Sequence, residues 1–419
     1  MNDRLLEQIR QCPNLPSLPA VAMRVLELSR KPNYSTSEVA KAISMDPALS
    51  SKILRTVNSS FYGCSRSVSS ISSAVVILGM DAVKTLALGF SLVAGLAKPR
   101  AKGFDHLTYW RRSLYAGMAA RLLAQRVSLT QPEECFLAGL LMDIGMLAMD
   151  RALGEEYAAV CGKVTCHVDL IAAEAAALDL THADVTRDLA ARWQLPEVLT
   201  VPMTHHHDPA AVEDSHLRRM TEVVALAARV ADIFVDRTNT MWSIADVRRM
   251  CADRFQIGEI DCDSLMVEIG MRTREMAPMF EIRIDSDVSY ESILERANQE
   301  LLTATRLTDK TEENKATAPH DRRRAPRIRR DADVTILMCA DGAVGESVVV
   351  RLQDVSARGL GFARERPMPP GTPFIFRVPR GDAPPITLLY TVVRCLPQGG
   401  GKFQIGAELQ CVMKDQAAA

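Results

Sequence analysis

Between Leu18 and about Leu302, apolar residues recur at three- and four-residue spacing and are interrupted only by short turns, the pattern of successive amphipathic helices. In Ala20–Ser29, Val21, Val25 and Leu28 form a stripe beside Arg24 and Glu27, and Pro32 follows where a helix must already have ended. The same spacing predicts helices over Ala48–Asn58, Ala82–Ala94, His106–Arg126, Glu133–Asp150 and His167–Asp179, then over Ala183–Trp193, Arg218–Asp236, Ile244–Phe255 and Ser264–Met276. Ser35 with Glu38 reads as a capping box, in which a hydroxyl and a carboxylate satisfy each other's orphan backbone donors; Thr181 with Asp184 reads as a looser version. With no strand alternation among them, these residues predict an all-α region.

The pattern changes after Leu302. Thr303–Asp321, TATRLTDKTEENKATAPHD, has almost nothing apolar to bury and reads as a linker. Beyond it come short runs rich in Val, Ile, Thr and Phe: Val334–Met338, Ser347–Leu352, Leu360–Ala363, Pro373–Val378, Thr387–Arg394 and Phe403–Leu409. Pro369-Pro370-Gly371 and Gly399-Gly400-Gly401 punctuate them, the signature of a small antiparallel barrel or sandwich. The Gly399–Gly401 run joins two strands with no helix after it, so it is a turn and not a phosphate loop. The chain is therefore expected to be multidomain, an all-α part tethered to an all-β part.

Composition narrows the function classes. A 419-residue chain with 47% hydrophobic and 24% charged residues and a formal net charge of −1 is neither disordered nor a polyelectrolyte for bulk nucleic-acid binding, so any charge-based function is local. The longest uncharged apolar stretch, Thr85–Ala97, is about 13 residues against the ~20 a bilayer span needs, so no membrane span is expected. The first residues do not resemble a secretory signal, and the ten cysteines form no CxxC pair, which points to a reducing cytoplasm.

Local charge concentrates in RRRAPRIRR, Arg322–Arg330, with six arginines in nine positions just before the first strand. Alone it reads as a solvated run or a nucleic-acid patch. Asp354-Val355-Ser356-Ala357-Arg358-Gly359 lies at a turn between two strands, and alone reads as an ordinary tight turn. Together the two supply complementary chemistry for a cyclic dinucleotide. Guanidinium forks match phosphate oxygens and the O6/N7 edge of guanine and stack on purines, while a carboxylate accepts from guanine N1–H and N2–H. In this respect the segment from about 321 to 413 resembles a PilZ domain, whose signature RxxxR followed by [D/N]xSxxG is met at Arg323–Arg327 and Asp354–Gly359. The resemblance implies a six-stranded β-barrel that binds cyclic di-GMP. It casts Arg323 and Arg327 as phosphate and guanine clamps, Arg324 as a supporting cation, and Asp354, Ser356 and Gly359 as barrel-side contacts.

The helical part carries a second resemblance. LPSLPAVAMRVLELSRKPNYSTSEVAKAISMDPALSSKILRTVNSSFYG, followed by ISSAVVILGMDAVKTLALG, resembles an HDOD domain from about Leu15 to Pro209, with helical sequence continuing over 210–302. The resemblance implies an all-α relative of HD phosphohydrolases used as an output or regulatory module. HD enzymes hold metal with a His, a His-Asp pair and a later Asp; here Met142 stands where the pair's His belongs, Arg112 stands at the earlier His, and Asp143 and Asp232 remain. His182, His205, His206 and His207 are further ligand candidates, but consecutive helical residues point about 100° apart, so at most two of the three adjacent histidines can share an ion. No catalytic residue, metal or cofactor is therefore expected. The expectation is a cytoplasmic bacterial signalling protein that binds cyclic di-GMP through residues 322–413 and relays the signal through a non-catalytic helical domain to an unidentified protein partner. Two alternatives stay open: a divergent metal-dependent phosphodiesterase for cyclic dinucleotides, and a nucleic-acid contact through Arg322–Arg330, which lacks the interleaved aromatics of single-strand binders.

Overall fold

A computed structural model of the chain describes residues 2–13, 15, 18–29, 35–59, 62, 67–96, 104–164, 166–236, 240–285, 288–296, 328–340, 343–356, 359–380, 383–398 and 401–413. They fall into two compact units, Met1–Thr238 with Met250–Tyr290, and Asn239–Arg249 with Glu291–Ala419. The expected linker 303–321 and the arginines at 322, 323, 324 and 327 lie outside the described residues.

The helices are, in chain order, α1 (Asp3–Arg10), α2 (Ala20–Ser29), α3 (Thr36–Ser44), α4 (Pro47–Val57), α5 (Ile71–Leu78), α6 (Met80–Leu96), α7 (His106–Arg126) and α8 (Pro132–Leu141). They continue with α9 (Ile144–Leu153), α10 (Glu155–Cys161), α11 (Leu170–Leu178), α12 (His182–Arg192), α13 (Glu197–His205), α14 (Ser215–Val235), α15 (Thr240–Phe255) and α16 (Glu259–Met276). Polar caps set several of the starts: Asp46, Ser70, Asp105 and Asp214 each accept a backbone N–H from the first turn they open. Thr181 and Asp184 form a full reciprocal capping box, whereas Ser35 caps α3 through the Ser37 amide without Glu38 returning the bond. The looser-looking motif is thus the complete one.

Helix α7 is the centre of the helical unit. It is buried around nearly its whole circumference, from Tyr109 and Trp110 through Leu114 and Ala116 to Leu123, and it packs against α8 and α14. A Cβ on Gly139 would lie 2.7 Å from the Ala116 carbonyl oxygen, and one on Gly117 would lie 3.0 Å from that of Phe136. Small residues therefore let α7 and α8 approach backbone to backbone. The single helix predicted over Glu133–Asp150 is in fact two, α8 and α9, broken at Met142–Asp143. Thr186 bridges the break: its hydroxyl donates to the Met142 carbonyl at 3.1 Å and accepts the Gly145 N–H at 3.0 Å. A partner from another helix replaces the lost intrahelical bonds, which local periodicity cannot reveal.

The second unit contains a closed antiparallel barrel of six strands, β1 (Ile328–Ala340), β2 (Ala343–Ser356), β3 (Gly359–Arg364), β4 (Pro373–Arg380), β5 (Ala383–Gln398) and β6 (Lys402–Met413), in the order β1-β2-β3-β6-β5-β4. Period-two alternation places Val350, Leu352, Leu360, Phe362, Phe374, Phe376, Tyr390, Val392, Ile405 and Ala407 inside. Leu360 and Phe362 point inward, so Gly359 and Gly361 lie on the outer side of β3. Among the described residues, no helix is long and apolar enough to cross a membrane.

Candidate functional site

On the barrel, backbone register brings the two sequence motifs together. Ile328 pairs with Val355, Arg329 with Asp354, and Ser356 with Gly359, so the arginine run enters β1 directly beside the Asp-x-Ser-x-x-Gly segment at the β2–β3 hairpin. The run is not wholly outside the sheet, since Arg329 and Arg330 already belong to β1. Asp354 is half-buried, and its carboxylate lies across Gly361 on the neighbouring strand, where a Cβ would sit 2.6 Å from Oδ1. Gly361, absent from the sequence prediction, is thus what makes room for the predicted Asp354. The predicted contacts Arg323, Arg324 and Arg327 fall outside the described residues, as does the side chain of Ser356.

In the helical unit a second constellation converges on Asp143, at the start of α9. Arg112 of α7 is buried and bonds Asp143 Oδ2 through Nη1, Asp232 Oδ1 of α14 through Nε at 2.8 Å, and the Ala228 carbonyl through Nη2 at 3.3 Å. Three imidazoles approach the other oxygen of Asp143: His182 Nε2 and His206 Nε2 at 3.4 Å and His167 Nε2 at 3.6 Å. His207 Nε2 lies 2.9 Å from His182 Nε2. Of the three adjacent histidines, His206 and His207 turn inward and His205 does not join them, as the 100° step between helical neighbours requires.

The histidines are aimed by their other nitrogens. His182 Nδ1 lies 2.7 Å from Glu174 Oε2, which also accepts the His182 backbone N–H at 2.8 Å, while the Tyr157 hydroxyl donates to Glu174 Oε1 at 2.6 Å. His206 Nδ1 lies 2.8 Å from the Met203 carbonyl. Burial alone would lower the His182 pKa, but Glu174 outweighs it and raises it. Burial depresses His207, helped by His206 and His182, and burial with the Arg112 charge depresses His167. Burial would raise the Asp143 carboxyl, yet Arg112 and then His167 hold it well below the usual carboxylate range. The cluster thus pairs an ionised carboxylate with His167 and His207 held toward the neutral form, while Glu174 draws His182 toward the protonated one.

This donor set fits a metal ion. One ligand atom from each of Asp143, His167, His182 and His207 lies within 4.8 Å of all the others. Asp143 Oδ1, His167 Nε2 and His206 Nε2 are buried without a hydrogen-bond partner. Glu174 orients His182 as outer carboxylates orient metal-binding imidazoles. The expectation of no metal site is therefore not carried through by the geometry: the lost ligands at Met142 and Arg112 leave a histidine-rich group on the Oδ1 side of Asp143. Three imidazoles with one carboxylate suit first-row transition ions better than Mg²⁺. Sequence reading missed His167, Glu174 and Tyr157; a buried Glu eight residues before a helix-opening His is the one signal that points to them.

Residues 15–209 match the HDOD domain family and residues 321–418 the PilZ domain family. An HDOD domain protein with unknown function from Geobacter sulfurreducens superposes over 68% of this chain and 99% of its own, with a TM-score of 0.54 and 23% identity. A Shewanella amazonensis SB2B chain described as a phosphohydrolase superposes over 66% of this chain and 97% of its own, with a TM-score of 0.51 and 24% identity. At these identities the likeness is one of fold. An uncharacterized protein of Treponema pallidum (strain Nichols) is 26% identical over 209 residues, and the match spans 48% of this chain and only 39% of that protein. The chain carries an HDOD domain and, C-terminal to it, a PilZ domain.

Proposed function

We propose that this chain is a non-catalytic signalling protein whose PilZ barrel binds cyclic di-GMP and whose HDOD domain passes the state of the barrel to a protein partner. The observation that carries the reading is the register of β1 against β2, which sets the end of the arginine run opposite Asp354 and closes the hairpin at Ser356 and Gly359. Arg323 and Arg327 would supply forked donors for phosphate and for guanine O6/N7, Arg324 a supporting charge, and Asp354 an acceptor for guanine N1–H and N2–H, with Ser356 and Gly359 beside it. A relay requires that the ligand bind two states of the protein unequally and that the partner read the difference.

Calorimetry of the full chain tests the ligand. Cyclic di-GMP is expected to bind, with affinity lost in Arg327→Ala and weakened in Asp354→Asn; no heat with the wild-type chain, or unchanged affinity in Arg327→Ala, refutes the reading. A polynucleotide that binds with steep, sequence-independent salt dependence would favour the nucleic-acid alternative instead. The relay is tested by pull-down with and without cyclic di-GMP, in which the same partner should be recovered in ligand-dependent amounts.

Arg112 supports a non-catalytic helical domain. Two-ion phosphodiester hydrolysis needs carboxylates shared between metals, and here the guanidinium occupies Asp143 Oδ2 and Asp232 Oδ1 together. What remains on the Oδ1 side is a set of ligands for a single ion, which would tie α9, α12 and the segment after α13 together.

A further inference from the structure

Four residues on adjacent strands form a row across the outside of the barrel. Asp354 on β2 pairs with Gly361 on β3, Gly361 with Gly406 on β6, and Gly406 with Arg394 on β5. The inward positions on these strands are Leu352, Val355, Leu360, Phe362, Val392, Ile405 and Ala407, so the row faces out. Both glycines are nevertheless buried, because polar side chains lie over them. A Cβ on Gly361 would meet the Asp354 carboxylate at 2.6–2.7 Å, and a Cβ on Gly406 would meet Arg394 Nε at 2.6 Å and Cγ at 2.8 Å.

Asp354 and Arg394 share a second feature. Each follows a break in register, between Leu352 and Asp354 on β2 and between Val392 and Arg394 on β5. Such bulges turn a side chain out of the ladder's alternation and cluster at functional sites. The strands flanking the glycine pair are thus both bulged immediately before the charged residue that leans over it. Three strand intervals separate Asp354 from Arg394, about 14 Å between backbones, and side chains do close that span nearby: Gln353 of β2 donates to Gln398 of β5 at 3.2 Å and accepts from Gln404 of β6 at 3.2 Å.

We infer that Arg394 is a ligand-contacting residue of the cyclic di-GMP site, the cationic end of an outward row whose acidic end is Asp354, each charged side chain seated on the glycine of the neighbouring strand. The inference rests on the proposed binding of that ligand and extends it to a residue outside both sequence motifs. A guanine packed over this row presents N1–H and N2–H to the carboxylate, and its O6/N7 edge or the adjoining phosphate to the guanidinium. A side chain at 361 or 406 would push the Asp354 carboxylate or the Arg394 guanidinium out of this row. Adenine lacks both O6 and the N2 amine, so the Asp354–Arg394 pair selects guanine.

The test is calorimetric titration of the full chain with cyclic di-GMP and with cyclic di-AMP, using wild type, Arg394→Ala, Arg394→Lys and Gly406→Val, with circular dichroism verifying each fold. Arg394→Ala is expected to weaken cyclic di-GMP binding at least tenfold. Arg394→Lys should recover only part of it, because an ammonium cannot make the forked contact, and Gly406→Val, whose side chain would displace Arg394, should weaken binding as Arg394→Ala does. Cyclic di-AMP should bind wild type at least tenfold more weakly than cyclic di-GMP. Wild-type binding of cyclic di-GMP with Arg394→Ala within twofold of it overturns the role of Arg394 alone. Absence of wild-type binding overturns the cyclic di-GMP reading itself.

Discussion

A Cβ on Gly145 would lie 2.0 Å from the carbonyl oxygen of His182, so α9 and α12 meet with no side chain between them. This approach lets His182 reach Asp143, and the Thr186 hydroxyl locks it by spanning the α8–α9 break. Alanine in place of glycine inside a helix ordinarily stabilises by roughly 0.5–1 kcal/mol. Here a backbone carbonyl cannot move aside as a flexible side chain would, and overpacking of this kind costs about 1–3 kcal/mol or more. Gly145→Ala is therefore expected to lower the urea-unfolding free energy by about 2 kcal/mol. An equal or more stable variant would show that the helices separate freely.

Arg112 holds two buried carboxylates, and its removal leaves Asp143 to the imidazoles and Asp232 to Arg229 at 3.9 Å. Breaking a buried ion pair from one side costs roughly 3–5 kcal/mol because the remaining charge stays desolvated. Arg112→Met should therefore destabilise by that order, measured by thermal or chemical unfolding. Removing the stranded charges too, in Arg112→Met with Asp143→Asn and Asp232→Asn, should return much of the loss. A triple variant no better than the single one would mean that Arg112 acts through packing and not through charge.

What the sequence revealed depended on how local the cause was. All six strands were legible, because inward alternation and Gly or Pro punctuation are written within each run; the strands only extend further, as the ladder continues past the last core residue. Helix α7 was legible to the residue because Asp105 caps it, whereas α13 was not, having Pro202 inside it, and the α8–α9 break depends on Thr186 more than forty residues away. The unanticipated α1, α5 and α10 are short helices of seven or eight residues. In the site, Arg112 is legible as an altered metal position and Asp143 and Asp232 as the ligands that remain, but their mutual ion pairing is not, and Tyr157–Glu174–His182 joins residues whose relation exists only after folding.

Asp236 caps the C-terminal end of α14, where burial, and then the nearby Asp232, push its carboxyl up to about 7. In the unfolded chain an aspartate titrates near its ordinary value of about 3.9. Between these values the folded protein holds a proton that the unfolded chain has released, so stability falls as pH rises through the window and levels off above about pH 7. Asp236→Asn removes this dependence. Relative to wild type, it should gain up to about 4 kcal/mol on going from pH 4 to pH 8. Urea midpoints at the two pH values measure this, and parallel behaviour of the two proteins would contradict it.

The histidine cluster gives the last prediction. A hydrolytic pair of ions needs Asp143 and Asp232 as shared ligands, and the guanidinium of Arg112 already bonds both, adding a fixed positive charge where a second cation would approach. On the other side, Asp143 Oδ1 and the imidazoles of His167, His182 and His207 can surround one ion, with Glu174 steadying His182. Chelator-treated protein reloaded with Co²⁺ or Mn²⁺ should therefore take up no more than one ion per chain and hydrolyse neither cyclic di-GMP nor a simple aryl phosphodiester. The visible bands of bound Co²⁺ should disappear in His182→Gln and weaken in Glu174→Gln, whose loss would leave the imidazole unaimed. Two ions per chain, with turnover that vanishes in Asp143→Ala, would instead mean that Arg112 swings away and that the helical domain is an enzyme.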